Sequence, residues 1–193
     1  MGRFAALPHQ TSPHREIAPE VGIVDIRPLS MADWDAYRAF GGRIERNDMR
    51  LRFGGPVKLD DSRCRRFLDI DHHHEEAFGA FDRSGALLGV GRVAGVDAGE
   101  AEIALIVRSD LKGHGIGTLL LDRLLAYANS VGLKALRADV LYENRPMLHL
   151  AQRTGFRFVS AGGLMLSLRR EIRGSATNSQ PMDHSPMLSS RPS

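Results

Sequence analysis

The residues with the clearest chemical use cluster between positions 101 and 118. Lys112-Gly113-His114-Gly115-Ile116-Gly117 sets three positions without side chains just ahead of a helical pattern. Backbone N–H groups are then bare where a helix dipole is positive, which suits a phosphate or pyrophosphate. Lys112 and His114 add charge or further donors. Upstream, residues 101–107 (AEIALIV) are apolar apart from one carboxylate, Glu102. So many branched residues in one run predict a strand buried on both faces. Inside it Glu102 would be partly desolvated, a setting that makes a carboxylate a better proton acceptor.

The neighbouring elements must hold that loop and that carboxylate in place. Residues 1–21 mix Pro, His, Ser and Gly without periodicity and read as a disordered lead. Residues 21–28 alternate apolar and polar up to Pro28, as an edge strand would. Ser30 with Asp33 signals a helix start, and residues 32–44 carry Trp34, Tyr37 and Phe40 at helical spacing. Residues 47–53 predict a second short helix, broken at Gly54-Gly55-Pro56, and Asp60 or Asp61 caps a third through Leu68. Residues 75–81 and 87–94 flank Asp82-Arg83-Ser84-Gly85 as a hairpin, and a turn over 95–99 leads into the Glu102 strand. Beyond the glycines, Ile116, Leu120, Leu124, Tyr127 and Ala128 share one helical stripe that Gly132 ends. Residues 135–141 predict a buried strand, parallel to 101–107 by the right-handed crossover rule. Where two parallel strands diverge inside an otherwise antiparallel sheet, a cleft opens at their carboxyl ends. Asn144-Arg145-Pro146 starts a last helix that Gly155 ends, and residues 156–160 and 164–168 close the sheet. The polar, proline-rich residues 172–193 read as a disordered tail, leaving one domain over residues 22–171.

Composition narrows the function. With 193 residues the chain can bury one sizeable core. No apolar run approaches the roughly 20 residues that cross a bilayer, and the start of the chain lacks a secretory signal's apolar segment, so the cytoplasm is the expected compartment. The single cysteine, Cys64, rules out an internal disulfide, and its arginine-rich neighbourhood reads as a helix face. A net charge of +3 suits a polyanionic ligand, whereas no basic face interleaved with aromatics points to nucleic acid. His72-His73-His74, among Asp69, Asp71, Glu75 and Glu76, invites a metal reading. Adjacent histidines in an extended segment point to opposite sides, so they are read as a polar lead-in to the hairpin and no metal is expected.

Spacing separates the phosphate motifs that the glycine loop could follow. A Walker loop ends in Gly-Lys-Ser/Thr, and no lysine follows Gly117. A dinucleotide fingerprint needs G-x-G-x-x-G, and counting from Gly113 puts Thr118 at the third glycine. The remaining spacing, V-R-x-x-x-x-G-x-G-x-G from Val107 to Gly117, closely resembles the acyl-CoA pyrophosphate loop of the GNAT superfamily of N-acyltransferases. The core pattern there is R/Q-x-x-G-x-G/A, with Lys112 standing here where arginine or glutamine is usual. Four further segments resemble the GNAT domain of bacterial Pat-type protein lysine acetyltransferases. They are Asn47-Asp48-Met49-Arg50-Leu51-Arg52-Phe53, Ile70-Asp71, Ala101-Glu102-Ile103-Ala104 and Glu143-Asn144-Arg145-Pro146-Met147-Leu148.

That resemblance implies an α+β fold, a mostly antiparallel sheet flanked by helices, with one parallel pair splayed at the cofactor site. It implies acetyl-CoA as donor, held by backbone groups of Ile106, Val107 and Arg108 along its pantetheine arm. Lys112, Gly113, His114, Gly115, Ile116, Gly117 and Thr118 would meet the pyrophosphate. Asn144 matches an asparagine that contacts the arm in relatives, or it is a helix N-cap. Many relatives carry a tyrosine seven residues later as acid for the leaving thiolate. Here Ala151 stands there, so CoA leaves as a thiolate stabilised by local dipoles or Tyr142 donates. Glu102 is the expected general base for a primary amine, with Glu100, two residues back on the same face, in reserve. The acceptor implied is a protein lysine. A small-molecule amine, or a non-catalytic acyl-CoA-sensing module, is the alternative, and the assembly is a monomer or homodimer.

Overall fold

The computed structural model describes residues 14–18 and 21–172. Its centre is an eight-stranded sheet in the order β1-β2-β3-β4-β5-β6-β8-β7. The strands are β1 (His14–Ala18), β2 (Gly22–Pro28), β3 (Glu76–Phe81), β4 (Leu87–Asp97), β5 (Glu100–Val107), β6 (Ala135–Leu141), β7 (Arg157–Gly162) and β8 (Met165–Glu171). Every neighbouring pair is antiparallel except β5 and β6, which run parallel. Among the described residues the helices are α1 (Trp34–Gly41), α2 (Arg46–Phe53), α3 (Asp61–Leu68), α4 (Ile116–Ser130) and α5 (Arg145–Arg153).

Alternation along the strands sends side chains to two cores. On one face Val93, Ile103 and Phe78 pack against Ile116, Leu120 and Leu124 of α4. On the other, Leu29, Val90 and Phe81 pack against Tyr37 and Phe40 of α1 and Cys64 and Leu68 of α3. Glycine in β4 sets how closely α4 approaches. A methyl group at Gly89 would lie 3.0 Å from Leu120, and one at Gly91 3.2 Å from Leu124.

The structure departs from the sequence reading in four places. Residues 14–18 of the expected disordered lead form β1, paired with β2 from His14↔Ile26 to Ala18↔Gly22. The helix expected over 32–44 is shorter, because Ser30 and Asp33 close a capping box on a single 3-10 turn, Met31–Asp33, before α1 begins. The turn expected over 95–99 shrinks to Ala98 and Gly99, since β4 continues through a register shift to Asp97. The strands β5 and β6 are not buried on both faces: Glu102, Arg137 and Asp139 are exposed between buried neighbours. The expected tail lies outside the described residues apart from Ile172, whose N–H bonds to the Lys134 carbonyl at 2.8 Å.

Candidate active site

The parallel pairing of β5 and β6 lasts three rungs, Glu100↔Ala135, Ala101↔Leu136 and Glu102↔Arg137. Beyond Glu102 the two strands part, while β5 runs on to Val107 and β6 to Leu141. A cavity of about 300 Å³ occupies the gap. Its walls are Glu102 to Leu105 of β5, Ala138 to Val140 of β6, the end of α2 from Leu51 to Gly54, and Asn144, Met147 and Met165.

Glu102 stands at the last paired rung, exposed to this cavity. It shares a sheet face with Ala94, its antiparallel partner, and with Arg92 and Ala104 one step on, the side covered by α1 and α3. Several other carboxylates of the fold are engaged. Asp33 takes a two-point bond from Arg27 at 2.5 and 3.0 Å, Glu76 lies 3.1 Å from the His72 ring, and Asp139 accepts from the Ser167 hydroxyl at 2.6 Å. Among the described residues no hydrogen bond or salt bridge holds Glu102. Glu100, the reserve candidate, is bound by Arg169 at 2.8 Å with Arg137 at 3.6 Å. The hydrogen bond from Arg169 holds the Glu100 carboxyl below its usual range, which makes it a poor proton acceptor near neutral pH.

The glycine loop follows β5 through a 3-10 turn at Ser109–Leu111. Gly113 and Gly115 have φ of 82° and 85°, in the left-handed region that a side chain disfavours. Gly115 is the N-cap of α4, and its carbonyl accepts from Thr118 and Leu119 at 3.0 and 3.1 Å. Ile116, fully buried, pins this end of α4 to the sheet, so the first-turn N–H groups keep a fixed direction. A Cβ at Gly113 would meet nothing within 4 Å, so the loop's outer side is open to an approaching anion. The residues present therefore fit a pyrophosphate.

The side chains of Lys112 and Arg108 are already engaged. Lys112 pairs with the buried Asp48 of α2, which also accepts from the Ser109 hydroxyl at 2.5 Å. Ser109 in turn accepts from the Glu45 N–H at 2.8 Å and donates its own N–H to Arg43. The loop and the α1–α2 connection are thus stitched together. Arg108 forks onto Asp110 at 2.6 and 3.1 Å, and its backbone is engaged too, its N–H donating to the Leu88 carbonyl at 2.9 Å and its carbonyl accepting from Leu111 at 3.0 Å. Ile106 and Val107 are half-buried, and Thr118 is exposed beside the loop. Asn144 is the N-cap of α5, its Oδ1 accepting from the Met147 N–H at 3.3 Å, and the residue also lines the cavity. Ala151 is buried in the core and Tyr142 lies outside the cavity lining.

Sequence reasoning assigned no role to two arginines of α2. Two residues apart on a helix is about 200° of rotation, so they face opposite ways. Arg50 forks onto Glu143 at 2.7 and 2.9 Å, tying α2 to the turn after β6. Arg52 enters the cavity. The RLRF run marks a basic helix, but which arginine turns inward depends on where α2 docks. At His72-His73-His74, Asp71 gathers the N–H groups of His73, His74 and Glu75 and the His74 ring. Burial works against it, yet these bonds hold its carboxyl well below the usual carboxylate range, as in a turn cap.

Residues 44–156 match the model of the acetyltransferase (GNAT) family. An acetyltransferase of Pseudomonas aeruginosa is 29% identical over 136 residues, which are 68% of this chain and 73% of that protein. The acetyltransferase Pat of Mycolicibacterium smegmatis is 39% identical over 61 residues, 32% of this chain and 18% of that protein. The solved GNAT domain of S. lividans PAT superposes with a TM-score of 0.77 at 21% identity, covering 82% of this chain and 96% of that domain.

Proposed function

Because the chain belongs to the GNAT family of acetyltransferases, we propose that it moves an acetyl group from acetyl-CoA to a primary amine, a protein lysine side chain in the first instance. The observation that carries this reading is the position of Glu102, unpaired at the rung where β5 and β6 part and open to the cavity between them. A free lysine, with a pKa of about 10.4, is almost wholly protonated at neutral pH and cannot attack until a proton is removed. Glu102 takes that proton directly or through one water. The nitrogen then bonds to the acetyl carbonyl carbon and releases its second proton to solvent, while the carbon–sulfur bond breaks and its electron pair leaves on the CoA sulfur. Bound acetyl-CoA supplies the activated thioester. Beyond the last β5–β6 rung the free edge of β5 at Val107 offers strand-like pairing to the pantetheine arm, while Ile106 and Arg108, whose backbones turn toward β4, flank it.

The N–H groups from Gly113 to Thr118 orient the pyrophosphate, and Asn144 borders the arm. With Ala151 at the usual acid position, the thiolate leaves stabilised by local dipoles or takes a proton from Tyr142. Support for the protein-lysine acceptor comes from the Pat-like segments and the likeness to two Pat proteins. The test combines CoA release, followed with a thiol reagent, and mass spectrometry of a lysate treated with the protein and labelled acetyl-CoA. Label on lysine side chains of proteins is expected. Label only on small amines would move the acceptor to that class, and acetyl-CoA binding without CoA release from any amine would make the chain a sensing module.

A further inference from the structure

The cavity wall carries a cation, Arg52, that donates no hydrogen bond to any of the described residues. Arg52 is half-buried in the wall shared with Glu102, with its guanidinium 4.6 Å from the Phe53 ring centroid. Phe53 stacks on Phe67 at 5.7 Å and 12°, and Arg92 of β4 sits 5.5 Å over Phe67. Arg92 is satisfied by Glu75 at 2.6 Å and by the Phe67 carbonyl. Among the described residues nothing accepts a hydrogen bond from Arg52, although a guanidinium has five donors and buried ones are ordinarily paired. Burial pushes its pKa down; Arg92 adds to this, and Tyr37 and Glu102 work against it. An arriving anion would offset both the burial and the like charge.

We propose that Arg52, on the α2 wall of the cavity shared with Glu102, is the point that recognises an anion of the acceptor, so that the acceptor carries a carboxylate close to its amine. The amine goes to Glu102 while the carboxylate takes two parallel bonds from Arg52, a geometry that a planar guanidinium matches. This rests on the amine-acetyltransferase reading and narrows its acceptor class. The carboxylate belongs either to an acidic residue beside a lysine or to a free amino acid. A polycationic amine lacking a carboxylate meets Arg52 with no anion of its own to offer and is disfavoured.

The test uses the full chain and four probes: a blocked peptide with glutamate beside its lysine, the same peptide with glutamine, free lysine, and lysine amide. Binding is read by calorimetry in the presence of CoA, and turnover by CoA release. One charge-assisted pair predicts at least about tenfold tighter binding of the glutamate peptide over the glutamine one, or of lysine over its amide. Whichever pair shows the preference identifies the source of the carboxylate. In Arg52→Gln that ratio should fall to about one, and Arg52→Lys should keep part of it. No preference in the wild type, or a preference that survives in Arg52→Gln, overturns the proposal. Because the wild-type ratio is set by the probe alone, a poorly folding variant does not shield the idea. Selective binding without CoA release would leave Arg52's role standing and remove the catalytic reading.

Discussion

Glu102→Gln keeps shape and hydrogen bonding but gives up the proton acceptor. Turnover is expected to fall about 10²–10⁴-fold while acetyl-CoA affinity stays near wild type, since the loop contacts lie further along β5. Part of the loss should return at high pH, where the acceptor amine loses its proton unaided, so the variant's rate should keep rising where the wild type levels off. An unchanged rate would mean that solvent deprotonates the amine and the chain works by positioning alone. Glu102 is legible in the sequence because one carboxylate in an apolar strand stands out. The cleft beside it is legible as well, from the crossover rule, but the exposure of Glu102 is not, because the run AEIALIV looks buried on both faces. Arg52 is hidden for a similar reason. A basic helix normally faces solvent, and nothing local says that α2 docks with this arginine inward.

At the scale of the element, the glycine loop is the most readable feature, since its spacing alone marks the start of α4 at Ile116. The structure separates what its glycines do. Gly115 sits at φ 85°, so Gly115→Val is expected to lower stability through backbone strain of about 1–2 kcal/mol as well as weaken acetyl-CoA binding. Gly117 lies within the helix, and a Cβ there would meet Leu150 at 3.6 Å and Val107 at 3.9 Å, ordinary contact distances. Gly117→Val should therefore keep a melting temperature near wild type and lose acetyl-CoA affinity by about tenfold or more, the cost of one displaced charge-assisted contact. Calorimetry with undiminished affinity in both variants would remove the loop from the donor site. β1 was not readable, because HREIA lacks alternation and becomes a strand only by pairing with β2.

Across the whole molecule, two phenylalanines two positions apart show how unevenly stability is spread. Phe156 is 4% exposed in the main core, whereas Phe158 on the outermost strand, β7, is 62% exposed. Phe156→Ala is expected to cost about 3–5 kcal/mol and Phe158→Ala less than about 0.5 kcal/mol, read as urea midpoints. Similar midpoints for the two would mean that β7 is covered in solution, as in a homodimer. The stitch from Asp48 to Lys112 and Ser109 bears on how this molecule can be re-engineered. The helix that walls the acceptor side and the loop that meets the donor's phosphates are mechanically a single part. A change made in α2 to admit a new acceptor will therefore be felt by the donor. Asp48→Ala, which touches neither the cavity wall nor a glycine, is expected to raise the KM for acetyl-CoA by about tenfold, since Lys112 and Ser109 lose their shared anchor. Steady-state kinetics at saturating acceptor would measure it, and an unchanged donor KM would show the two sites to be mechanically separate.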